Sequence, residues 1–397
     1  MCKKLILFLF VLIFTGCKNQ EESTIKPIIE GKPAARITLY NTKADYPIEK
    51  IDLSEFVDSV KFIRLETTEE SLINGINKVL FIDKEIVIAD HRGGKILVFD
   101  AEGRYIRKIA DRGRGPGEYL SITSCNYDNT REILSIYDGI GQKLLLYRTD
   151  GEFIKDIPVK VGEGSMVIVV YEMINLPNGN YLCYNNALFE NTGNYSGLWE
   201  IDSEGTFVKS LFRYDIMVPT MFAQPTYYFQ QLTDGTISIR DIMHHDIYHY
   251  KDGGLKRYVS YEIKDSKLVK YQGNPVPDES FMYCLSSHES SGYIISSWAD
   301  ENWDIVFGLY DKRQNKIRFA ETFDNSGLDA VWTEGRTNSN RDNILIVRLP
   351  GTRIEQMLSD ESTSEKTRKL LNTLKDNRSG TEMESMNPIL ELLYLKK

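Results

Sequence analysis

The stretch IADHRGGKILVFDAEGRYIRKI, Ile88 to Ile109, recurs 48 residues later as IYDGIGQKLLLYRTDGEFIKDI, Ile136 to Ile157. Asp90 aligns with Asp138, Lys95 with Lys143, Phe99 with Tyr147, Gly103 with Gly151 and Ile106 with Ile154. Each copy reads as a strand ending in Asp, a short loop, an apolar strand, an acidic residue followed by Gly, and a second alternating strand. The Asp/Glu-Gly pair suits a hairpin, because both central positions of such a turn tolerate positive φ. One more strand precedes each copy, INKVLFID in the first and ITSCNYD in the second. The unit is therefore four antiparallel strands in about fifty residues.

Looser copies follow. GLWEIDSEGTFVKSLF surrounds Gly205, IRDIMHHDIYHYKDGGLKRYV surrounds Gly253, and SSWADENWDIVFGLYDKRQNKIRFAETF is a weaker fifth, with YEMINLP, YYFQQLT and FMYCLSS as their leading strands. A lone four-stranded sheet cannot bury both faces, so units of this kind stack radially as blades. A sixth unit is assembled from the remainder: LDAVWTEG and NILIVRLP supply two strands, and SVKFIRLETT (Ser59–Thr68) with the terminal NPILELLYLKK completes it. Joining strands from both ends of the chain removes the exposed edges of an open sheet. The expected fold is all-β, a six-bladed β-propeller of four-stranded antiparallel blades over residues 45–397. RGRGPGEY, Arg112 to Tyr119, is then the connection from the outer strand of one blade to the inner strand of the next. A short helical insertion, about residues 352–386, interrupts the last blade: Ser362 and Glu365 read as a capping box ahead of Leu370, Leu371 and Leu374, three docking leucines on one side.

The N-terminus reads differently. MCKK is a short basic region and LILFLFVLIF a ten-residue apolar core, too short to span a bilayer and suited to a secretory signal. It ends in FTGC, which resembles the lipobox of bacterial lipoproteins and makes Cys17 the lipidated first residue after loss of residues 1–16. Losing Lys3 and Lys4 takes the formal charge from −9 to −11. Residues 17–44 are polar, with two prolines, and read as a flexible tether.

The segment IVIADHRGGKILVFDAEGRYIRKIADRGRGPGEY resembles an NHL-type repeat. From the lipobox through NPILELLYLKK, the whole chain is similar to the six-bladed β-propeller lipoproteins of Bacteroidetes. That resemblance implies a propeller on a lipid anchor at the outer membrane, facing the periplasm or the cell surface, and it implies no activity.

Composition narrows the function. A net charge of −9 with no basic stripe argues against nucleic acid as a partner. The excess of Tyr (23) over Trp (4) suits pleated, half-buried surfaces. Cys125, Cys183 and Cys284 each sit inside a strand-like run and cannot all pair, so they read as buried free thiols. The cluster HHDIYH offers His244, His245 and His249, of which His245 and His249 could share a face of an extended strand. The channel metal of a propeller-fold lyase with NHL-like repeats takes histidines from several blades, and the only other histidines here are His91 and His288. No G-x-S-x-G elbow or phosphate-binding P-loop is present. Asp90, Asp138 and Asp241 occupy a repeated strand-to-loop position, where an Asp holds loop amides. No cofactor, metal or catalytic set is expected.

What remains is a surface. Loops joining the second and third strands of each blade share a face with the loops joining blades. That face is expected to gather His91, Arg92, Arg112, Arg114, Asp241, His244 and Trp298. It would also carry the long connection Tyr214–Phe229, from which Tyr227 could stack on a ligand, although Tyr227 to Phe229 also read as the start of an inner strand. The sequence favours a monomeric, membrane-anchored module that binds a protein or glycan, contacting the membrane only through its lipid. The competing reading is a glycan- or peptide-processing hydrolase or lyase with its site at the mouth of the central channel.

Overall fold

The middle strands of the first two repeats, Glu85–Asp90 with Lys95–Asp100 and Ile133–Asp138 with Lys143–Tyr147, are apolar on both faces and buried on both. The strand outside each pair alternates instead: Tyr105–Ile109 buries only Ile109 fully. A sheet with both faces covered must lie between two others, and that requirement builds the ring. The computed structural model describes residues 31–160, 170–185, 197–212, 228–240, 246–264, 268–271, 274–277, 283–300, 302–333, 336–361, 363–375 and 386–397.

Six blades follow one another. From inner to outer strand, blade I is Ile76–Ile82, Glu85–Asp90, Lys95–Asp100 and Tyr105–Ile109. Blade II is Ser124–Asp128, Ile133–Asp138, Lys143–Tyr147 and Phe153–Pro158, and blade III is Glu172–Asn175, Tyr181–Asn185, Gly197–Ile201 and Phe207–Phe212. Blade IV holds Phe229–Gln231, Ile237–Arg240, Ile247–Lys251 and Gly254–Ile263; blade V holds Tyr283–Glu289, Tyr293–Ala299, Ile305–Asp311 and Lys316–Ala320. Blade VI takes Arg336–Ser339, Ile344–Leu349 and Ile389–Leu395 from the C-terminal part and Val57–Arg64 from the N-terminal part. Apolar cores fill the wedges between blades: Tyr119, Val98 and Leu145 between I and II, and Ile63, Phe99 and Leu392 between VI and I. The ring is thus sealed by packing at the seam as at every other interface.

Two expectations need correction. The tether was expected to run through residue 44, but Ala35–Leu39 forms a strand parallel to Val259–Ile263 and makes blade IV five-stranded. Its alternation of buried Ala35, Ile37 and Leu39 with exposed Arg36 and Thr38 is the period of a half-buried strand. LDAVWTEG does not supply a strand to blade VI. Ala330, Val331 and Trp332 pack into the core shared by blades V and VI, and the polar Arg336–Ser339 is the inner strand.

The helical insertion is where the sequence places it, between the second and third strands of blade VI. Helix α1 (Gly351–Ser359) is a full helix, and α2 (Glu365–Leu374) follows. The cap of α2 is Ser364, whose side chain accepts from the Thr367 amide, not Ser362, which lies outside the described residues. Leu371 is fully buried, with Leu370 and Leu374 half-buried beside it, so the three leucines dock the insertion on the core between blades V and VI. Among the described residues no helix is long and apolar enough to cross a membrane.

Candidate functional site

Asp90 sets the geometry of the face that the loops between second and third strands share. It is fully buried at the end of its strand and accepts from the amides of Asn74 (2.8 Å), Gly75 (2.9 Å) and Gly93 (2.8 Å). Its carboxylate thereby ties the loop entering blade I to the turn leaving the second strand. Asp138 repeats the arrangement in blade II, accepting from Leu120, Ser121 and Gly141. These aspartates are structural, as their repeated position suggested. Asp300 does similar work in blade V, accepting from the amides of Asn302 and Asp304 at 2.9 Å.

Held by that scaffold, His91 and Arg92 stand exposed on the turn after Asp90. The Arg92 side chain lies over Gly75, and the His91 ring hydrogen-bonds the Gly75 backbone. Partial desolvation and then the Arg92 charge hold the His91 imidazole below its ordinary range, so it is neutral at pH 7. Arg112 and Arg114 are exposed on the connection to blade II, which Tyr119 anchors by burying its ring between blades I and II and donating to the Gly94 carbonyl at 2.9 Å. Arg92, Arg112 and Arg114 make no side-chain hydrogen bond or ion pair among the described residues.

The same face opens into a groove at the seam of blades VI and I, with a volume of about 580 Å³. Asn74 and Gly75 form one wall; Thr333, Pro350 and Pro388 belong to blade VI and its connections. Two guanidiniums line it. Arg348, at the end of the second strand of blade VI, donates Nη1 to the Ile76 carbonyl at 3.2 Å, and its Nε is buried with no partner. Arg353, on α1, donates Nη1 to Gln356 at 2.8 Å. Among the described residues, none that lines it is acidic.

Not every expected residue is on this face. Trp298 is 1% exposed, packed against Tyr261 at 4.8 Å between ring centres, and its indole N–H is directed to Ser296. The exposed tryptophan of the face is Trp303, 53% exposed on the turn after Asp300 and held at φ +65°. That conformation is uncommon outside Gly, Asn and Asp. The turn-rich setting DENWD, against the strand-like SSWA around Trp298, is the signal that separates them. Cys17, Tyr227, Asp241 and His244 lie outside the described residues. Tyr228 and Phe229, next to Tyr227, are buried in the core shared by blades III and IV.

The channel itself is crossed by polar bonds. Lys78 reaches Asn126 at 2.5 Å and Glu172 at 3.1 Å, and Glu172 in turn accepts from the amides of Tyr228 and Phe229. A buried pair of this kind is tolerated because each charge keeps further hydrogen bonds. Above it a cavity of about 190 Å³ opens on the opposite face, among Thr130, Asn175 and Asn340. His288 bonds the Asp342 carbonyl at 2.8 Å, and His249 meets Glu289 at 2.9 Å while stacking on Tyr258. Among the described residues no group of three or more His, Cys, Asp or Glu is arranged to hold a metal. Cys125, Cys183 and Cys284 are buried and unbridged, and burial pushes the thiols of Cys125 and Cys183 up, keeping them inert.

A family model described as a domain of unknown function, DUF4934, matches residues 36–393. Among solved structures, a Bacteroides fragilis protein described as a candidate exported protein superposes with a TM-score of 0.71 at 16% identity, covering 91% of this chain and 100% of that one. A member of the DUF4221 family from Bacteroides vulgatus gives 0.49 at 9% identity, covering 86% and 97%. A gluconolactonase from Xanthomonas campestris gives 0.45 at 10% identity, covering 89% and 96%. At these identities the likeness concerns the fold. No curated protein matches.

Proposed function

The chain belongs to the DUF4934 family, a domain of unknown function, and from that premise we propose that it is an envelope-anchored binding module, lipidated at Cys17, whose ligand sits on the loop face carrying His91, Arg92, Arg112 and Arg114. The observation that carries this reading is the groove of about 580 Å³ on that face. It falls in the size range of ligand pockets and is walled by loops fixed on rigid blades. Export is supported by the signal-like residues 1–16 and by the exported character ascribed to the Bacteroides fragilis neighbour. The disc would stand at the outer membrane on its acylated N-terminus, as a monomer.

Thermal melting of the full chain in detergent against a panel of envelope glycans and peptides tests the binding reading. A ligand present at 100 times its Kd should stabilise the fold by about 2.7 kcal/mol, a readable shift. A panel that shifts nothing, with cleavage of a glycosidic or peptide bond detected in the same samples, would hand the protein to the hydrolase or lyase class.

A further inference from the structure

We propose that the groove at the seam of blades VI and I binds an oxyanion, a carboxylate, sulfate or phosphate, carried on a partly apolar organic frame. This rests on the binding reading above and adds the chemistry of the ligand. Among the described residues Arg348 and Arg353 each make one side-chain hydrogen bond, to the Ile76 carbonyl and to Gln356, and a guanidinium has five donors. The Arg348 Nε is buried and unpartnered behind the cavity wall, so the terminal nitrogens, of which Nη1 already holds the Ile76 carbonyl, are what this side chain offers the groove. Arg92, whose aliphatic stem lies over Gly75 of the groove wall, carries a further guanidinium on the same face with no ion-pair partner among the described residues.

Among the described residues that line the groove, none neutralises these charges. Among the described residues no acidic side chain lines the groove, and the carboxylate behind it, Asp90, is buried and already holds three amides. The chain as a whole carries −9, so a local set of unmatched cations runs against its overall field. A neutral ligand would leave the guanidiniums as they are, and a metal ion would be repelled. An oxyanion offers the paired acceptors that guanidinium geometry matches. Of the remaining lining, Asn74 and Thr333 are polar, whereas Ile73, Ile76, Pro350, Met386 and Pro388 are apolar and suit the carbon frame that carries the anion.

Isothermal titration of the full chain in detergent, with galacturonate, galactose 4-sulfate, inorganic phosphate and galactose as probes, decides the matter. At least one organic anion should bind, at least 10-fold tighter than galactose, and weaken as salt is raised. Arg353→Gln and Arg348→Lys should each weaken it by about 10-fold, the loss expected for one charge-assisted hydrogen bond, with the melting profile retained. Arg148→Gln, in the turn between third and fourth strands of blade II on the opposite face, should leave affinity unchanged. Anions that bind no better than galactose, or affinities that ignore both groove arginines, would overturn the proposal; galactose binding alone would do so while leaving the binding reading intact. Phosphate binding as tightly as the organic anions would overturn the apolar-frame half.

Discussion

Two buried glutamates sit in opposite electrostatic settings. Glu391, in the third strand of blade VI, has no exposure and accepts one amide, Val331 N at 2.5 Å, while its other oxygen has no partner. Burial, opposed only by that amide, pushes its carboxyl up to about 8. At Glu289 burial acts in the same direction, but His249 and Lys312 (2.6 Å) override it and hold the carboxyl below its ordinary range. The signs of linkage therefore differ. For Glu391 the unfolded chain releases its proton near pH 4.5 and the folded chain near 8, so this contribution to stability falls as pH rises between those values. For Glu289 stability is present above the unfolded value and lost on acidification. We predict that Glu391→Gln flattens the decline in denaturant midpoint between pH 5 and 8, with a gain of roughly 2–4 kcal/mol at pH 8.5 and almost none at pH 5. An unchanged slope would show that Glu391 ionises in place.

The turn glycines make a second prediction at this scale. Gly103 and Gly151 have φ of +87° and +99°, as the hairpin reading required. Their surroundings differ: a β-carbon at Gly103 would overlap the Arg64 carbonyl oxygen, whereas at Gly151 the nearest atom is an Ile109 methylene at 4.0 Å. Gly103→Val should cost about 3 kcal/mol or more and Gly151→Val about 1–2 kcal/mol, read from chemical denaturation. Equal costs would mean that the seam yields around residue 103.

At the scale of elements, legibility followed amplitude. Blades I and II were readable because Asp90 and Asp138, Lys95 and Lys143, and Gly103 and Gly151 repeat at one spacing, each for a local backbone reason. Arg336–Ser339 was missed because Arg-Thr-Asn-Ser has no apolar alternation, unlike the apolar inner strand Ile76–Ile82. Ala35–Leu39 was missed because five alternating residues amid polar sequence carry little weight until a partner edge is known. Their energetic roles differ. Ile37 packs at the outer edge of blade IV, and Ile63 packs in the core at the seam. Ile63→Asp should abolish cooperative melting, since a carboxylate in that wedge has no partner. Ile37→Asp should lower the melting temperature while leaving the far-UV circular dichroism unchanged. The reverse order would move the stabilising closure to the outer edge.

For the whole molecule, the ring was legible and the site only partly so. His91, Arg92, Arg112 and Arg114 are local in sequence and could be placed on one face by strand counting. Arg348 and Arg353 reach that face only because the chain closes, with Arg348 bonding a carbonyl 272 residues away, and no local pattern announces such a neighbour. Trp303 and Trp298 show the same limit, since one turn separates the exposed ring from the buried one. The anchor is a separate matter that sequence alone motivates. Cys17→Ser should shift the protein from the membrane pellet to the soluble fraction, and continued sedimentation with membranes would remove the lipid from the account.

The strand at Ala35–Leu39 also lies between any upstream attachment and Val57–Arg64, the segment that completes blade VI. A pull on the N-terminus loads its five-residue parallel ladder first, along the strand, before tension reaches the closing segment. If that ladder slips, slack is released only as far as Tyr46, which packs on Phe319, and Ile51–Asp52, which pairs with Phe323–Asp324, and the disc stays whole. The fold thus carries a mechanical fuse, placed where the polypeptide enters it.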